Sequence, residues 1–176
     1  MQVRPAEPKD LVPCGLLDHS STTDRVWQME KRVENNARTV AFRPVRLPRE
    51  IELSYPRQGE DLLAGWRRRD SFLVAEIGED VCGYVALTVQ PEHGLAWVGD
   101  LVVGRSRRRR GIGTALLRAA AEWGCKQDLV RLTVEVQTKN YPAIQFCQAC
   151  GLTFSGYSDR YWPSEDIAVF FSGRLR

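Results

Sequence analysis

Lysine is scarce in this sequence: Lys9, Lys31, Lys126 and Lys139 stand against 21 arginines, for a net charge of only +3. A basic complement carried almost wholly by guanidinium groups points to planar recognition of anions. Long apolar runs are missing as well. No stretch of eighteen apolar residues occurs, and the opening MQVRPAEPKD carries proline and both charge signs where a secretory leader would be apolar. A cytoplasmic protein with no membrane partner is the expectation. Cysteine is present but odd in number (Cys14, Cys82, Cys125, Cys147, Cys150), without the framework of a small disulfide scaffold, so reduced thiols are expected. Cys147 and Cys150 form a C-x-x-C, but a zinc site needs a second pair and none is visible, so no metal is expected. Repeats and low-complexity tracts are absent too. What remains is 176 residues, 43% hydrophobic and 27% charged with 16 aromatics. That balance suits one compact domain with a sizeable core and excludes a disordered chain.

Near the start, Asp10 is placed to cap a helix of about ten residues through Leu11, Leu16 and Leu17, and Asp24 to cap a second over 25–36. Residues 43–60 hold three prolines among alternating charge and apolar side chains, which predicts a strand with an irregular exit. The run SFLVAEIGEDVCGYVALTVQPEHG reads as a hairpin turning at Gly78-Glu79-Asp80, and residues 95–103 as a third strand of the same meander. The period then changes: Ile112, Leu116, Ala119 and Trp123 mark an amphipathic helix. A β-branched strand over 129–136, a short helix capped by Asn140 and ending at Gly151, and a last hairpin over 152–161 and 167–175 complete a β-α-β-α-β-β half.

The most informative stretch is Arg107-Arg108-Arg109-Arg110-Gly111-Ile112-Gly113-Thr114, which lies between a strand and the helix that begins within it. Unpaired N–H groups at a helix start attract anions, and glycine lets a phosphate approach the backbone, so a pyrophosphate is the expected guest. It is not a dinucleotide fingerprint, because Leu116 stands where the third glycine belongs, and no P-loop lysine follows. Four consecutive arginines without interleaved aromatics or a known nucleic-acid fold motif argue against a nucleic-acid partner.

Here the residues resemble a family. Arg108-x-x-Gly111-x-Gly113 is similar to the Q/R-x-x-G-x-G/A loop of the GNAT superfamily of acetyl-CoA-dependent N-acetyltransferases, and Asn140-x-x-Ala143-Ile144-x-Phe146 with Gly151-Leu152 resembles a second signature of that family. The resemblance runs from about residue 70 onward, with residues 20–60 outside it. It implies an α/β class, strictly an α+β mixed sheet: a single GNAT-like domain, splayed and mainly antiparallel, flanked by helices. It also implies acetyl-CoA, with the backbone of Leu101, Val102 and Val103 on the pantetheine and that of Arg108, Arg109, Arg110, Gly111, Ile112, Gly113 and Thr114 on the pyrophosphate. Asn140 would reach the cofactor by its side chain, and Ala143 and Phe146 would pack on it. Residues 71–176 would be the acetyl-CoA core and 1–70 the acceptor-side part.

The implied reaction is attack of a neutral amine on a thioester. Removing the proton of a lysine-like ammonium of pKa about 10.4 costs roughly 4 to 5 kcal/mol at pH 7, against about 1 for an α-amine. Glu135, a single acid in a β-branched strand, is the leading base, with Asp100 on the neighbouring strand as its rival. The family's general-acid tyrosine is replaced by Cys147; that thiol, Tyr141, Tyr157 or water are open substitutes. The tail resembles both streptothricin acetyltransferases and ribosomal-protein alanine N-acetyltransferases. There Asp159 suits a cationic acceptor, and Tyr161 and Trp162 suit stacking or cation–π contact. The acceptor is then an amine of a small molecule or a peptide N-terminus, and a homodimer through terminal strands is the family's habit. The other class consistent with a lost tyrosine is an acyl-CoA-binding sensor without turnover.

Overall fold

The computed structural model describes residues 1–55 and 65–175. Three runs rich in Val, Leu and Ala build the centre of the sheet: β4 (Ser71–Ile77), β5 (Asp80–Gln90) and β6 (Leu95–Val103). Gly78 and Gly94, both in the left-handed region, turn the chain between them. β1 (Gln2–Pro5) extends one edge, while β7 (Arg131–Gln137), β9 (Ala168–Arg174) and β8 (Thr153–Ser158) extend the other, in the order β1-β4-β5-β6-β7-β9-β8. Every junction is antiparallel except β6–β7. That parallel junction needs a crossover. It is α2 (Ile112–Lys126), whose apolar stripe of Ile112, Leu116, Leu117 and Ala120 seals the core against Leu73, Val85, Leu87 and Val98. A shorter helix, α3 (Tyr141–Ala149), adds Ile144 and Cys147 to that core. The opposite face of the meander packs Phe72, Val74 and Tyr84 against Cys14, Tyr55 and Trp66.

The β6–β7 junction is short. Pairing runs only from Leu95↔Arg131 to Val98↔Val134. At that point the β5–β6 register shifts, with Ala86↔Asp100 followed by Leu87↔Val98, so Gly99 is the extra residue of a bulge. A bulge bends its strand. Residues 99–103 leave β7, the end of β7 leaves β6, and a wedge opens between two otherwise continuous ladders.

Two expectations from sequence fail near the N-terminus. No helix covers 25–36: β2 (Ser21–Glu34) and β3 (Ala37–Leu53) form one long hairpin. Asn35 and Asn36, at φ 48° and 64°, make its two-residue turn, and the Asp24 carboxylate pairs with Arg46 across the ladder instead of capping a helix. The strand expected over 43–60 is present to Leu53, and its exit beyond residue 55 lies outside the described residues. The helix after Asp10 is only six residues, α1 (Leu11–Leu16). Asp10 does not cap it; the buried carboxylate takes two bonds from Arg4, 2.7 and 3.0 Å, and one from the Glu7 N–H.

The hairpin reaches both halves of the sheet. The Trp27 N–H donates to the Thr138 carbonyl at the end of β7 (2.8 Å), and its ring packs with Phe42, Phe154 and Phe171. Its stem returns at Leu53–Tyr55 to the β6 side, where the Tyr55 hydroxyl donates to Asp100 (2.9 Å). It therefore spans the wedge.

Candidate active site

The wedge is a pocket walled by β6 (Val98, Gly99, Leu101), β7 (Val134 to Gln137) and α3 (Asn140, Ala143, Phe146, Cys147), with His19, Leu53, Tyr55 and Trp162 at its other side. Four residues singled out in the second sequence signature and its variant position, Asn140, Ala143, Phe146 and Cys147, thus meet on one wall. Asn140 caps α3, its Oδ1 accepting from the Ala143 N–H at 3.2 Å, and lines the pocket as well.

The wedge leads to the start of α2. Arg109 (φ 62°) and Gly111 (φ 79°) both take left-handed backbone, which turns the loop into the helix. The first intrahelical bond runs from the Ala115 N–H to the Gly111 carbonyl, so the N–H groups of Ile112, Gly113 and Thr114 precede the ladder. A side chain at Gly113 would meet the Phe146 ring at 3.3 Å, which is why α3 can close this near to the helix start. The arginines divide. Arg105 reaches Ser20 and Arg107 reaches Asp80, while Arg108 Nε donates to the Val103 carbonyl (2.8 Å) and burial pulls its guanidinium below the usual range. Arg108 therefore ties the loop to the end of β6, and that carbonyl is one group the sequence reading had assigned to pantetheine. Arg109 and Arg110 are exposed and have no partner among the described residues.

Glu135 is the one carboxylate lining the wedge among the described residues. Alternation along β7 puts Val134 and Val136 into the core and turns Glu135 to the opposite face. There its Oε2 accepts from Trp97 Nε1 (2.7 Å) and from the Tyr161 hydroxyl (2.8 Å). Phe170, opposite Glu135 in register, packs edge-on against both Trp97 and Tyr161.

Asp100 sits differently. It is 1% exposed and accepts from Tyr55 and Arg69 Nη2, each at 2.9 Å. Removing either partner of an ion pair at this depth would leave a buried charge alone, at high cost. Beside it, His19 Nε2 lies 3.0 Å from the Tyr84 hydroxyl, and burial pulls the imidazole below its usual range. Sequence reasoning missed His19 and Tyr55; neither lies in a motif, and they join the site only through contacts distant in sequence.

Cys147 occupies the wedge wall at 1% exposure, where burial pushes its thiol up to about 12. Tyr141 lies under Arg25 and Tyr157 against Phe42, and neither is among the wedge-lining residues. Asp159 is exposed and paired with Lys31 of the hairpin (2.6 Å), which holds its carboxylate below the usual range. Tyr161 and Trp162 pack edge-to-face at 4.9 Å. Among the described residues no helix is long and apolar enough to cross a membrane.

Comparison with known proteins gives a consistent picture. The family model of the acetyltransferase (GNAT) family matches residues 38–152, so the likeness begins well before residue 70 and includes β3, which the sequence reading had left outside. A streptothricin acetyltransferase of Streptomyces lavendulae is 27% identical over 161 residues, 88% of this chain and 82% of that protein. Another, of Escherichia coli, is 29% identical over 107 residues, 56% of this chain; the match spans 61% of that relative's length. The solved structure of a nourseothricin acetyltransferase superposes with a TM-score of 0.84 at 23% identity, over 99% of this chain and 98% of that one.

Proposed function

Because the chain belongs to the acetyltransferase (GNAT) family, we propose that it transfers an acetyl group from acetyl-CoA directly to a primary amine, with Glu135 taking the amine's proton. The amine is that of a small molecule or a peptide N-terminus, and the protein works in the cytoplasm. One observation carries the assignment: among the described residues a single carboxylate lines the wedge, aimed there by Trp97 and Tyr161. The residues fit the donor. The left-handed Gly111, the small Gly113 under Phe146 and the helix-start N–H groups form a cradle for a pyrophosphate. The edge of β6 beyond Gly99, without a β7 partner among the described residues, suits an extended amide-bearing arm.

When bound, acetyl-CoA supplies a thioester carbon already activated toward amines. The chain does the rest by placement and proton handling. Glu135 attracts the ammonium, holds it at the wedge and removes its proton. Trp97 and Tyr161 each donate to Oε2, which fixes the carboxylate's orientation. Asp100 is a positioning residue that ties Tyr55 and Arg69 to β6 at the bulge. Asp159, Tyr161 and Trp162 belong to the acceptor side with residues 1–70, and residues 71–176 otherwise carry the donor. With no tyrosine at Cys147 and a thiol pushed up to about 12, the departing thiolate leaves largely unassisted, at a cost of about 2 kcal/mol at neutral pH for a thiol of ordinary pKa.

The test is incubation with acetyl-CoA and a panel of polyamines, aminoglycoside-like and streptothricin-like amines and peptides, with products read by mass. An acetylated amine supports the reading. Measurable acetyl-CoA binding without product across the panel refutes it in favour of a sensor.

A further inference from the structure

Tyr161 reaches Glu135 from a loop that its own backbone disfavours. Between β8 and β9 the chain passes through Arg160 and Glu165 at φ 51° and 59°, left-handed backbone in residues that carry side chains. Such conformations persist only where the surroundings impose them. Here the surroundings converge on Asp166. Its carbonyl accepts from the Tyr161 N–H (3.0 Å), which closes the loop on itself, and the next carbonyl, that of Ile167, accepts from the Thr138 N–H (3.0 Å) just beyond β7. Its carboxylate, with a side chain 13% exposed, pairs with Lys139 and accepts from Gln137 Nε2 (3.2 Å) and from the Ser164 hydroxyl (2.9 Å). The segment that carries Tyr161 and the strand that carries Glu135 are thus fastened together through one side chain, two to four residues beyond Glu135 itself.

We propose that Asp166 is a positioning residue for the reaction: its carboxylate, clamped by Lys139, Gln137 and Ser164, holds the loop where the Tyr161 hydroxyl meets Glu135 Oε2. The effect on rate rests on the transferase reading above. Asp166 is not among the wedge-lining residues, so it acts through Tyr161 rather than on a bound molecule. A carboxylate this well shielded holds its donors more firmly than an exposed ion pair would, and three donors from both sides of the junction leave the loop one arrangement.

The test compares Asp166→Ala, Tyr161→Phe and the double variant on an amine that the wild type acetylates. Each single change is expected to lower kcat/KM about tenfold, the size of one hydrogen bond to a charged acceptor, with the Kd for acetyl-CoA unchanged. The double variant is expected to fall no more than about twofold below Tyr161→Phe, because the second change removes what the first has already lost. Losses that multiply to about a hundredfold would show Asp166 acting apart from Tyr161 and overturn the proposal. A second readout needs no turnover. The Trp97 indole N–H donates to the same Oε2 as Tyr161, and in protein labelled with ¹⁵N at its tryptophans its resonance is identified by its loss in Trp97→Phe. It is expected to move to the same place in Asp166→Ala as in Tyr161→Phe. Lys139→Met removes the more exposed partner of the pair, serves if the alanine variant does not fold, and is expected to move the resonance in the same direction. A resonance that shifts in Tyr161→Phe but stays in place when Asp166 or Lys139 is changed would overturn the proposal. Matching shifts with no acetylated product on any amine would leave the clamp standing and overturn the transferase reading instead.

Discussion

Glu135→Gln isolates proton removal from binding, because glutamine keeps the size of the side chain and one oxygen for the Trp97 and Tyr161 donors. The magnitude follows from the amine. At pH 7 an amine of pKa about 10.4 is neutral in roughly one molecule in 2,500, a cost of about 4 to 5 kcal/mol that the wild-type carboxylate removes within the complex and the variant leaves to solvent. A positioned base contributes about 10²- to 10⁴-fold. The variant should therefore fall about 10²- to 10³-fold in kcat/KM at pH 7 on such an amine, while its rate climbs about tenfold per pH unit. By pH 10, where a large share of the amine is already neutral, most of the deficit should have closed. With an α-amine of pKa about 8 the loss at pH 7 should be no more than about tenfold. The assay is initial rates from pH 6 to 10 with product quantified by mass, so that the cysteines do not interfere. A deficit independent of pH and of amine basicity would refute the role of base and leave Glu135 a binding group.

Three further perturbations test the surrounding structure. Gly113→Val places a branched side chain where even a Cβ sits 3.3 Å from the Phe146 ring, so calorimetry should show acetyl-CoA binding about tenfold or more weaker at unchanged fold; an unchanged Kd would remove this loop from the donor site. Cys147, with its thiol pushed up to about 12 and buried, should be about 10⁻⁴ thiolate at pH 8, so iodoacetamide should label exposed Cys125 long before it. Equal labelling by peptide mapping would contradict the closed wall. The Arg4 guanidinium holds the Asp10 carboxylate below the ordinary aspartate range, and a depressed folded-state pKa stabilises above that range and is lost as pH falls through the folded value. Asp10→Asn should thus lower Tm by a constant amount from pH 7 to about 4 and by progressively less below it; a gap already closing between pH 6 and 5 would point to another group.

What the sequence disclosed was what is local. Gly111 and Gly113 before an apolar stripe, and Asn140 three residues ahead of Ala143, place a helix start and a cap through contacts within one turn, and both are found there. The β2–β3 hairpin was misread because Asp24 followed by a mixed run satisfies a helix-capping pattern. The decisive signal, the Asn35-Asn36 pair between valine- and threonine-bearing segments, went unread; both residues take positive φ in the turn. The partners of Glu135 could not be read at all. Trp97 and Tyr161 lie 38 and 26 positions away, and only the pairing of β7 with β6 and β9 brings them together. Asp100 shows the converse: its strand was legible, but the Tyr55 and Arg69 that occupy it were not.

The four-pair junction of β6 with β7 has a mechanical meaning. On either side of it the ladders are long and antiparallel, so each half-sheet is a stiff plate and the junction is the crease between them. Thermal bending of the sheet concentrates in the angle of that crease. Whatever lies along both lips of the wedge stiffens the whole molecule, and amide exchange in the outer ladders, β4 with β5 and β9 with β8, would register its arrival and departure far from any atom that reacts.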